Sequence, residues 1–268
     1  HVGYTLPHEQ KLTFAYSYRT NRPELFYMEP YITYRDYYTA EIGNPDIRPE
    51  YIHSYELNYK KNIGEQVLQS SLFYRSRKDK IERLRVPYEA GVTLDSMANV
   101  GNDHALGMEL SGQFIVNKWW NLNVNGNVYY YKVVNNINAG GKEETSTNYD
   151  ITVNNLLRIC KNTRIQLDGN FVGPSVTTQG RSDSFWFVNL AIRQQWFGSN
   201  LQSTLSFRDI FNSARYKNDI TTPNLESVTH IRPKFPVITL SISYTFNHFK
   251  RSSQNSRDNR DLFEGVNH

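Results

Sequence analysis

The residues best suited to contact a ligand are clustered between positions 26 and 41 of the chain. Aromatic rings alternate there with acidic and basic groups, and aromatic faces beside polar groups suit a carbohydrate or an aromatic chelate. The residues predicted to contact such a ligand are Tyr31, Tyr34, Arg35, Asp36, Tyr37 and Tyr38. The alternative interpretation is that these rings pack their segment against the body of the protein.

Motifs of the common catalytic sites are missing from the sequence. It contains no Gly-x-Ser-x-Gly, no His-Glu-x-x-His and no Gly-x-x-x-x-Gly-Lys-Ser/Thr. Cys160 is the single cysteine, which excludes an intrachain disulfide and a cysteine-based zinc cluster. We therefore predict that the protein is not an enzyme and that it binds no metal and no cofactor.

Composition narrows the class of protein further. The net charge is only +4 and the basic residues are spread along the 268 positions, so the sequence predicts no nucleic-acid partner. Aromatic residues make up 14% of the chain, yet its mean hydropathy is negative. No run approaches the roughly 18 apolar residues of a membrane-spanning helix, so any membrane crossing has to be made by strands.

Alternation of apolar and polar residues is the strongest pattern, and a period of two is typical of strands with two different faces. In 238–246 one face is wholly apolar and the other carries only Ser and Thr, while 120–128 places four asparagines on one face. The segment 67–76 fits least well, because Phe73 falls on its polar face. The ten predicted strands are 12–19, 51–61, 67–76, 105–116, 120–128, 149–159, 164–171, 185–196, 201–208 and 238–246.

The connections between these strands alternate in length, as they do in outer-membrane barrels. The short connections are 64–66, 118, 161–163 and 198–200. The long ones are 20–50, 79–103, 133–148, 172–184 and 209–235. A soluble sandwich also alternates, but its strands have about 5 or 6 residues, whereas these reach the roughly 9 to 11 that cross a bilayer.

The predicted fold is therefore all-β: an antiparallel transmembrane β-barrel segment of about ten meandering strands over residues 1–246. The long connections are expected outside the cell and the C-terminus in the periplasm, with 247–268 forming a polar, disordered periplasmic tail. The polar strand faces should line the barrel lumen. The residues predicted there are Arg19, Glu56, Asn58, Glu109, Asn123, Asn125, Arg193 and Arg208.

Several short motifs resemble the C-terminal barrel part of TonB-dependent outer-membrane receptors, and most closely the Bacteroidetes-type outer-membrane β-barrel family. The most specific is Asn-Pro-x-x-x-Pro-Glu, in 43–50, which follows Tyr-Arg-Thr-Asn-Arg-Pro in 18–23. The others are Asn-Val-Gly in 99–101, Arg-Asp-Ile-Phe-Asn in 208–212 and the closing Tyr-Thr-Phe in 244–246.

A local structural role accounts for two of these motifs. Pro45 and Pro49 fix their own φ angles and favour extended neighbours, so they should stiffen the chain before the next strand. Asp209 and Asn212 should bond nearby backbone groups and begin a loop.

The resemblance implies a 22-stranded barrel with a plug domain inside it and an N-terminal box that engages TonB. This chain would then be about the last ten strands of the wall of a receptor for a bulky nutrient such as a siderophore or a glycan. Its partners would be outer-membrane lipid, the plug domain and remaining strands, TonB through a region absent here, and the nutrient. The alternatives are a complete ten-stranded barrel, either an omptin-like protease or an adhesion or docking protein.

Overall fold

The computed structural model describes residues 1–135 and 142–246, so the predicted tail 247–268 lies outside the described residues. Apart from two short 3₁₀ turns, Leu25–Met28 and Phe197–Ser199, the secondary structure found there is strand. The strands are β1 (Val2–Leu6), β2 (Gln10–Asn21), β3 (Thr33–Asp36), β4 (Thr39–Ile42), β5 (Glu50–Ile63), β6 (Gln66–Glu89), β7 (Val92–Asn117), β8 (Trp120–Asn135), β9 (Lys142–Arg158), β10 (Thr163–Val172), β11 (Ser175–Val176), β12 (Gly180–Ser182), β13 (Phe185–Trp196), β14 (Leu201–Arg208), β15 (Tyr216–Thr222), β16 (Leu225–Ile231) and β17 (Val237–Tyr244).

The main sheet has thirteen strands, eleven of which form an antiparallel meander in the order β1, β2, β5, β6, β7, β8, β9, β10, β13, β14 and β17. The ten predicted strands are all present, which confirms the all-β antiparallel prediction. The sequence missed β1, whose five residues are too few to show a clear alternation. Within the described part of the chain β1 and β17 lie at the two edges, so the sheet is open.

Cross-strand register gives the main sheet two different faces, because paired residues point the same way. One continuous row across six strands is Phe14, Leu57, Leu72, Met108, Val128 and Tyr149. The row beside it, on the opposite face, is Thr13, Asn58, Ser71, Glu109, Asn127 and Asp150. We call these the apolar face and the polar face.

Burial on the two faces is the reverse of that in a water-soluble sandwich. Large apolar side chains of the apolar face stand exposed, as Leu240 does with 62% of its surface accessible. Two of the buried apolar side chains, Phe73 and Val133, lie instead on the polar face. No helix among the described residues is long and apolar enough to cross a membrane.

The segment 79–103 is not a loop, and this prediction was wrong. β6 and β7 continue through it as one hairpin that turns at residues 90–91, with register irregularities near Lys80. Charged residues dominate 75–85, so side-chain alternation gives no strand signal there, whereas pairing of the backbone does not depend on side-chain type. We call residues 79–103 the hairpin extension.

Three other predicted long connections contain secondary structure of their own. β3 and β4 lie within 20–50, and β4 pairs in parallel with β7 in the hairpin extension. Residues 172–184 and 209–235 contribute β11, β12, β15 and β16, which form a second, four-stranded sheet. In the connection predicted at 133–148, residues 133–135 belong instead to β8 and 142–148 to β9, while residues 136–141 lie outside the described residues.

Candidate functional site

The predicted ligand-contacting tyrosines lie on and beside the β3–β4 hairpin. Asp36 accepts a hydrogen bond of 2.8 Å from the backbone N–H of Tyr38, which fixes the turn. Tyr37 at its tip is 92% exposed and Tyr31 before the hairpin is 74% exposed. The negative charge of Glu89 is the main cause that raises the pKa of Tyr34. Glu89 is the last residue of β6, at the tip of the hairpin extension. The rings therefore project into solvent, and their contact with a ligand stays a prediction.

Arg35 belongs to a group of ion pairs between this hairpin and the hairpin extension. It pairs with Glu41, whose carboxylate also lies 2.8 Å from the Arg83 guanidinium. Asp95, only 2% exposed, accepts two hydrogen bonds from Arg85 at 2.6 and 2.7 Å. Bidentate pairs of this kind fix geometry as well as charge, so the hairpin is held in one position.

Two openings of very different size lie near these residues. The smaller, about 40 Å³, has room for two or three water molecules and is lined by Phe26, Tyr27, Tyr31, Ile42 and Met97. The larger, about 860 Å³, separates the hairpin extension from the β15–β16 hairpin and has no charged side chain in its lining. Its lining includes Val86, Pro87, Gln179, Thr221, Pro223 and Asn224. Of these two openings, only the larger can admit a ligand of the size of an oligosaccharide.

The Asn-Pro-x-x-x-Pro-Glu motif and the Asn-Val-Gly motif are joined by hydrogen bonds between Arg48 and Asn99. The Asn99 side-chain oxygen accepts a bond from the Arg48 N–H at 2.8 Å, and its amide group donates to the carbonyl oxygens of Arg48 at 2.9 Å and Asp79 at 2.7 Å. A Cβ atom at Gly43 would lie 2.4 Å from the Glu29 carbonyl oxygen, so glycine is required there. These contacts agree with a structural role for the first motif.

Asp209 begins the connection after β14, as expected. One of its carboxylate oxygens accepts bonds from the Ser213 N–H at 2.9 Å and hydroxyl at 3.0 Å, and the other from the Ala214 N–H at 2.9 Å. Burial acts to raise the pKa of Asp209, but these bonds and Arg215 outweigh it, and the pKa is lowered from its usual value.

All eight residues predicted to line the lumen lie on the polar face. Glu56 and Glu109 flank Arg75, whose nearest guanidinium nitrogen lies 3.7 and 3.2 Å from their carboxylates. The guanidinium stacks over the ring of Phe73 at 4.3 Å. That this face lines a lumen stays a prediction.

Phe73, the residue that broke the alternation, is 3% exposed on this face. Its register partner is Gly107, and its ring lies 6.1 Å from that of Tyr129 on the next strand. A Cβ at Gly107 would approach the Cβ of Tyr129 to 2.3 Å, so glycine makes room for the two aromatic side chains. The pairing of a large ring with a glycine explains the position of Phe73, but it can be recognised only when the register of β6 and β7 is known.

A row of three arginines crosses the polar face near the short connections. Arg158 pairs with Arg164, and Arg164 with Arg193, so like charges stand directly opposite one another. Such pairs destabilise a sheet unless an anion offsets them. Among the ion pairs of the described residues none involves these three side chains. Sequence reasoning identified only Arg193, because Arg158 and Arg164 become its neighbours through pairing alone.

The histidines of the main sheet do not form acid–histidine pairs of a catalytic kind. His53 and His104 bond tyrosine hydroxyl groups on the apolar face. In the described ranges no group of three or more His, Cys, Asp or Glu side chains is placed to hold a metal ion.

A sequence model of the outer membrane protein beta-barrel family matches residues 1–244. No curated protein matches the chain by sequence.

Solved structures with a similar fold include the ferric yersiniabactin uptake receptor FyuA from Yersinia pestis. It shows 18% identity over 90% of this chain and 35% of that one, with a TM-score of 0.58. The siderophore receptor PirA from Pseudomonas aeruginosa shows 14% identity over 78% and 38%, with a TM-score of 0.55. The copper transporter OprC shows 11% identity over 90% and 37%, with a TM-score of 0.60.

At these identities the likeness to solved structures concerns the fold alone. The chain spans little more than a third of the length of the proteins to which it is similar.

Proposed function

The chain belongs to the outer membrane protein beta-barrel family, and from this premise we propose that it forms part of the wall of a TonB-dependent receptor that imports a bulky nutrient. The observation that carries the proposal is the two-faced main sheet, with large apolar side chains exposed on one face and polar side chains on the other. Lipid would cover the apolar face, and the polar face would line the passage. The role is that of a transporter, not an enzyme.

The side of the sheet that carries β3, β4, the hairpin extension and the second sheet would face the outside of the cell. Short connections on the opposite side, such as residues 64–65 and 118–119, would face the periplasm. This orientation follows the usual asymmetry of bacterial outer-membrane barrels, in which the periplasmic turns are short.

Further strands would close the wall at β1 and β17, since unpaired edges are not stable against lipid. A plug domain would occupy the interior. The arginine row of Arg158, Arg164 and Arg193 supports this, because an acidic surface inside the barrel would offset three like charges on adjacent strands.

The nutrient would approach through the large uncharged opening between the hairpin extension and the β15–β16 hairpin, and the exposed tyrosines would supply further contacts. Hydroxyl and amide groups in its lining suit a ligand with many neutral hydrogen-bonding groups, and the rings offer flat surfaces for sugar rings or for an aromatic chelate. Both a glycan and a siderophore fit this description.

The test is uptake by cells that carry the full-length receptor, supplied in turn with a panel of ferric siderophores as iron source and of oligosaccharides as carbon source. We expect growth on at least one compound, dependent on TonB, and its loss or strong reduction when Tyr31, Tyr34, Tyr37 and Tyr38 are replaced by Ala. Tyr130→Ala, on the apolar face, is the control for loss of an exposed ring. Uptake that is independent of TonB would contradict the transporter proposal, and unchanged uptake in the four-tyrosine variant would contradict only the ligand site.

A further inference from the structure

A row of hydrogen-bond donors crosses the apolar face on the side of the long connections. His53 pairs with Ser76, Ser76 with His104 and His104 with Lys132, so the four lie side by side on β5, β6, β7 and β8. We call these four residues the histidine row. Donors of this kind are unexpected on a face that is otherwise apolar.

An aromatic belt lies directly beneath the histidine row, two residues along each strand toward the short connections. Its members, which are paired across five strands, are Tyr16, Tyr55, Tyr74, Leu106 and Tyr130. Aromatic belts mark the boundary between hydrocarbon and head groups on outer-membrane barrels. The histidine row therefore stands at the level of the lipid head groups, if the apolar face meets lipid as proposed above.

The two histidines are held in the same way. The Tyr16 hydroxyl lies 3.0 Å from Nδ1 of His53, and the Tyr74 hydroxyl lies 3.0 Å from Nδ1 of His104. Rings stack beside both: Tyr74 is nearly parallel to His104 at 12°, and Tyr16 stacks on His53 at 24°, while the tilted ring of Tyr18 lies 4.8 Å from His53. With Nδ1 engaged and the ring fixed, Nε2 of each histidine has no partner among the described residues and is available to a molecule outside the protein.

Charge on this part of the apolar face favours an anion. Lys132 belongs to the row, and Lys78 lies exposed on the same face, two residues beyond Ser76 along β6. The acidic side chain of Glu143 on β9 lies 2.8 Å from the Lys132 ammonium. Adjacent strands lie about 4.8 Å apart, so the two imidazoles are about 10 Å apart and the whole row is about 14 Å wide. That width suits an extended head group better than one small ion.

We propose that the histidine row binds the phosphorylated head group of a lipid in the outer leaflet. The imidazole N–H groups, the Ser76 hydroxyl and the Lys132 ammonium would donate to phosphate oxygens, and the aromatic belt would contact the upper acyl chains. The inference rests on the proposed membrane placement of this face and adds a specific lipid partner to it.

The experiment uses the full-length protein in nanodiscs that contain either a bis-phosphorylated lipid A or the same lipid after enzymatic removal of its phosphates. Native mass spectrometry after release into neutral detergent counts the lipid that stays bound. We expect the phosphorylated form to be retained and the double variant His53→Ala, His104→Ala to retain at least about tenfold less, because two charge-assisted bonds are lost. His230→Ala, in the second sheet, is the matched control and should bind as the unaltered protein does.

A second variant guards against a general loss of structure. His53→Lys with His104→Lys keeps a donor at each position and should restore retention of the phosphorylated lipid. Equal retention of both lipids by the unaltered protein would overturn the inference, and so would displacement of the lipid by millimolar inorganic phosphate, which would indicate a site for a small anion. Failure of the protein to fractionate with outer membranes would instead overturn the proposed function.

Discussion

Strands β6 and β7 run through two regions that are stabilised differently. One region is the hairpin extension, and the other is the rest of the eleven-stranded meander, which we call the wall. In the wall, residues alternate between two faces, and ion pairs join neighbouring strands, as Arg75 does with Glu56 and Glu109 and Lys132 does with Glu143. In the hairpin extension, ion pairs and backbone-to-side-chain bonds join residues far apart in the chain. The Gln179 amide, for example, both donates to the Arg85 carbonyl and accepts from its N–H, at 3.1 and 2.8 Å.

The difference follows from what surrounds each region. Lipid on one side of the wall makes apolar exposure favourable, so alternation and backbone pairing are sufficient. The hairpin extension would stand in water, and buried polar groups with specific partners hold it: Asp95 within it, and Glu50 on β5, which accepts a bond from the Ile81 N–H. The wall should therefore tolerate polar changes on its polar face, whereas the extension should fail when one buried partner is removed.

The largest effect is expected from Arg85→Ala, because it leaves the buried Asp95 carboxylate without its bidentate partner. Removing one member of a buried ion pair typically costs about 3 to 5 kcal/mol. The measurement is hydrogen exchange of the full-length protein, in which amides of 79–103 should exchange much faster while those of β13 and β14 do not change.

Arg83→Ala is the matched control, two positions away in the same strand. Its pair with Glu41 is half-exposed and its contact with Asp95 is longer, 3.7 Å, so its removal should cost about 1 kcal/mol or less. Equal acceleration in the two variants, or acceleration that spreads into the wall, would show that the two regions are not stabilised differently.

In the wall, Leu240→Arg should cost about 2 to 4 kcal/mol of unfolding free energy, since residue 240 is midway along β17 on the apolar face. Ser241→Arg, one residue later on the polar face, should have a far smaller effect. Denaturant unfolding in phospholipid vesicles measures both. Equal losses would contradict the assignment of the two faces to lipid and lumen.

The wall could be predicted from sequence because a period of two is visible in single strands. The Ser and Thr residues of β17 and the asparagines of β8 assign a face without knowledge of any partner. Phe73 looked like an error in this pattern, because its explanation, the glycine opposite it, lies on another strand.

The hairpin extension could not be predicted in the same way. Its strands carry charged residues on both faces, and their partners lie far away in sequence, as Thr178 does from Glu82. Of the candidate site, the sequence located the tyrosines of the β3–β4 hairpin, but the large opening is formed by segments nearly 140 residues apart. Long-range contacts of this kind leave no local pattern.

A smaller effect is expected from Asn99→Ala, which removes two bonds that tie the Asn-Pro-x-x-x-Pro-Glu segment to β7 and a third bond to Asp79 on β6. The change leaves the Arg48 N–H and two carbonyl groups without their partner, at a cost of about 1 to 3 kcal/mol. Faster hydrogen exchange in 43–50 would show it. Asn102→Ala, which loses one longer bond of 3.3 Å to Asp79, is the control and should change exchange less. Similar effects of the two variants would mean that Asn99 does not hold this segment.

The smallest effect tests polar stabilisation at a single loop, through the pH dependence of Asp209. Its pKa is lowered in the folded state, so the ionised carboxylate stabilises the fold above the unfolded pKa of about 3.8, and this contribution disappears as pH falls through the folded pKa. Asp209→Asn keeps an acceptor but does not titrate, and charged acceptors bind amide groups more strongly, so the variant should be less stable near pH 7 by about 1 kcal/mol.

The measurement compares the unfolding free energies of the two proteins as a function of pH. The other carboxylates titrate in both proteins, and the difference between the two unfolding free energies therefore reports Asp209. That difference should be constant at neutral pH and shrink below about pH 4. A difference that is unchanged at low pH would mean that the shape of the side chain, rather than its charge, holds the loop.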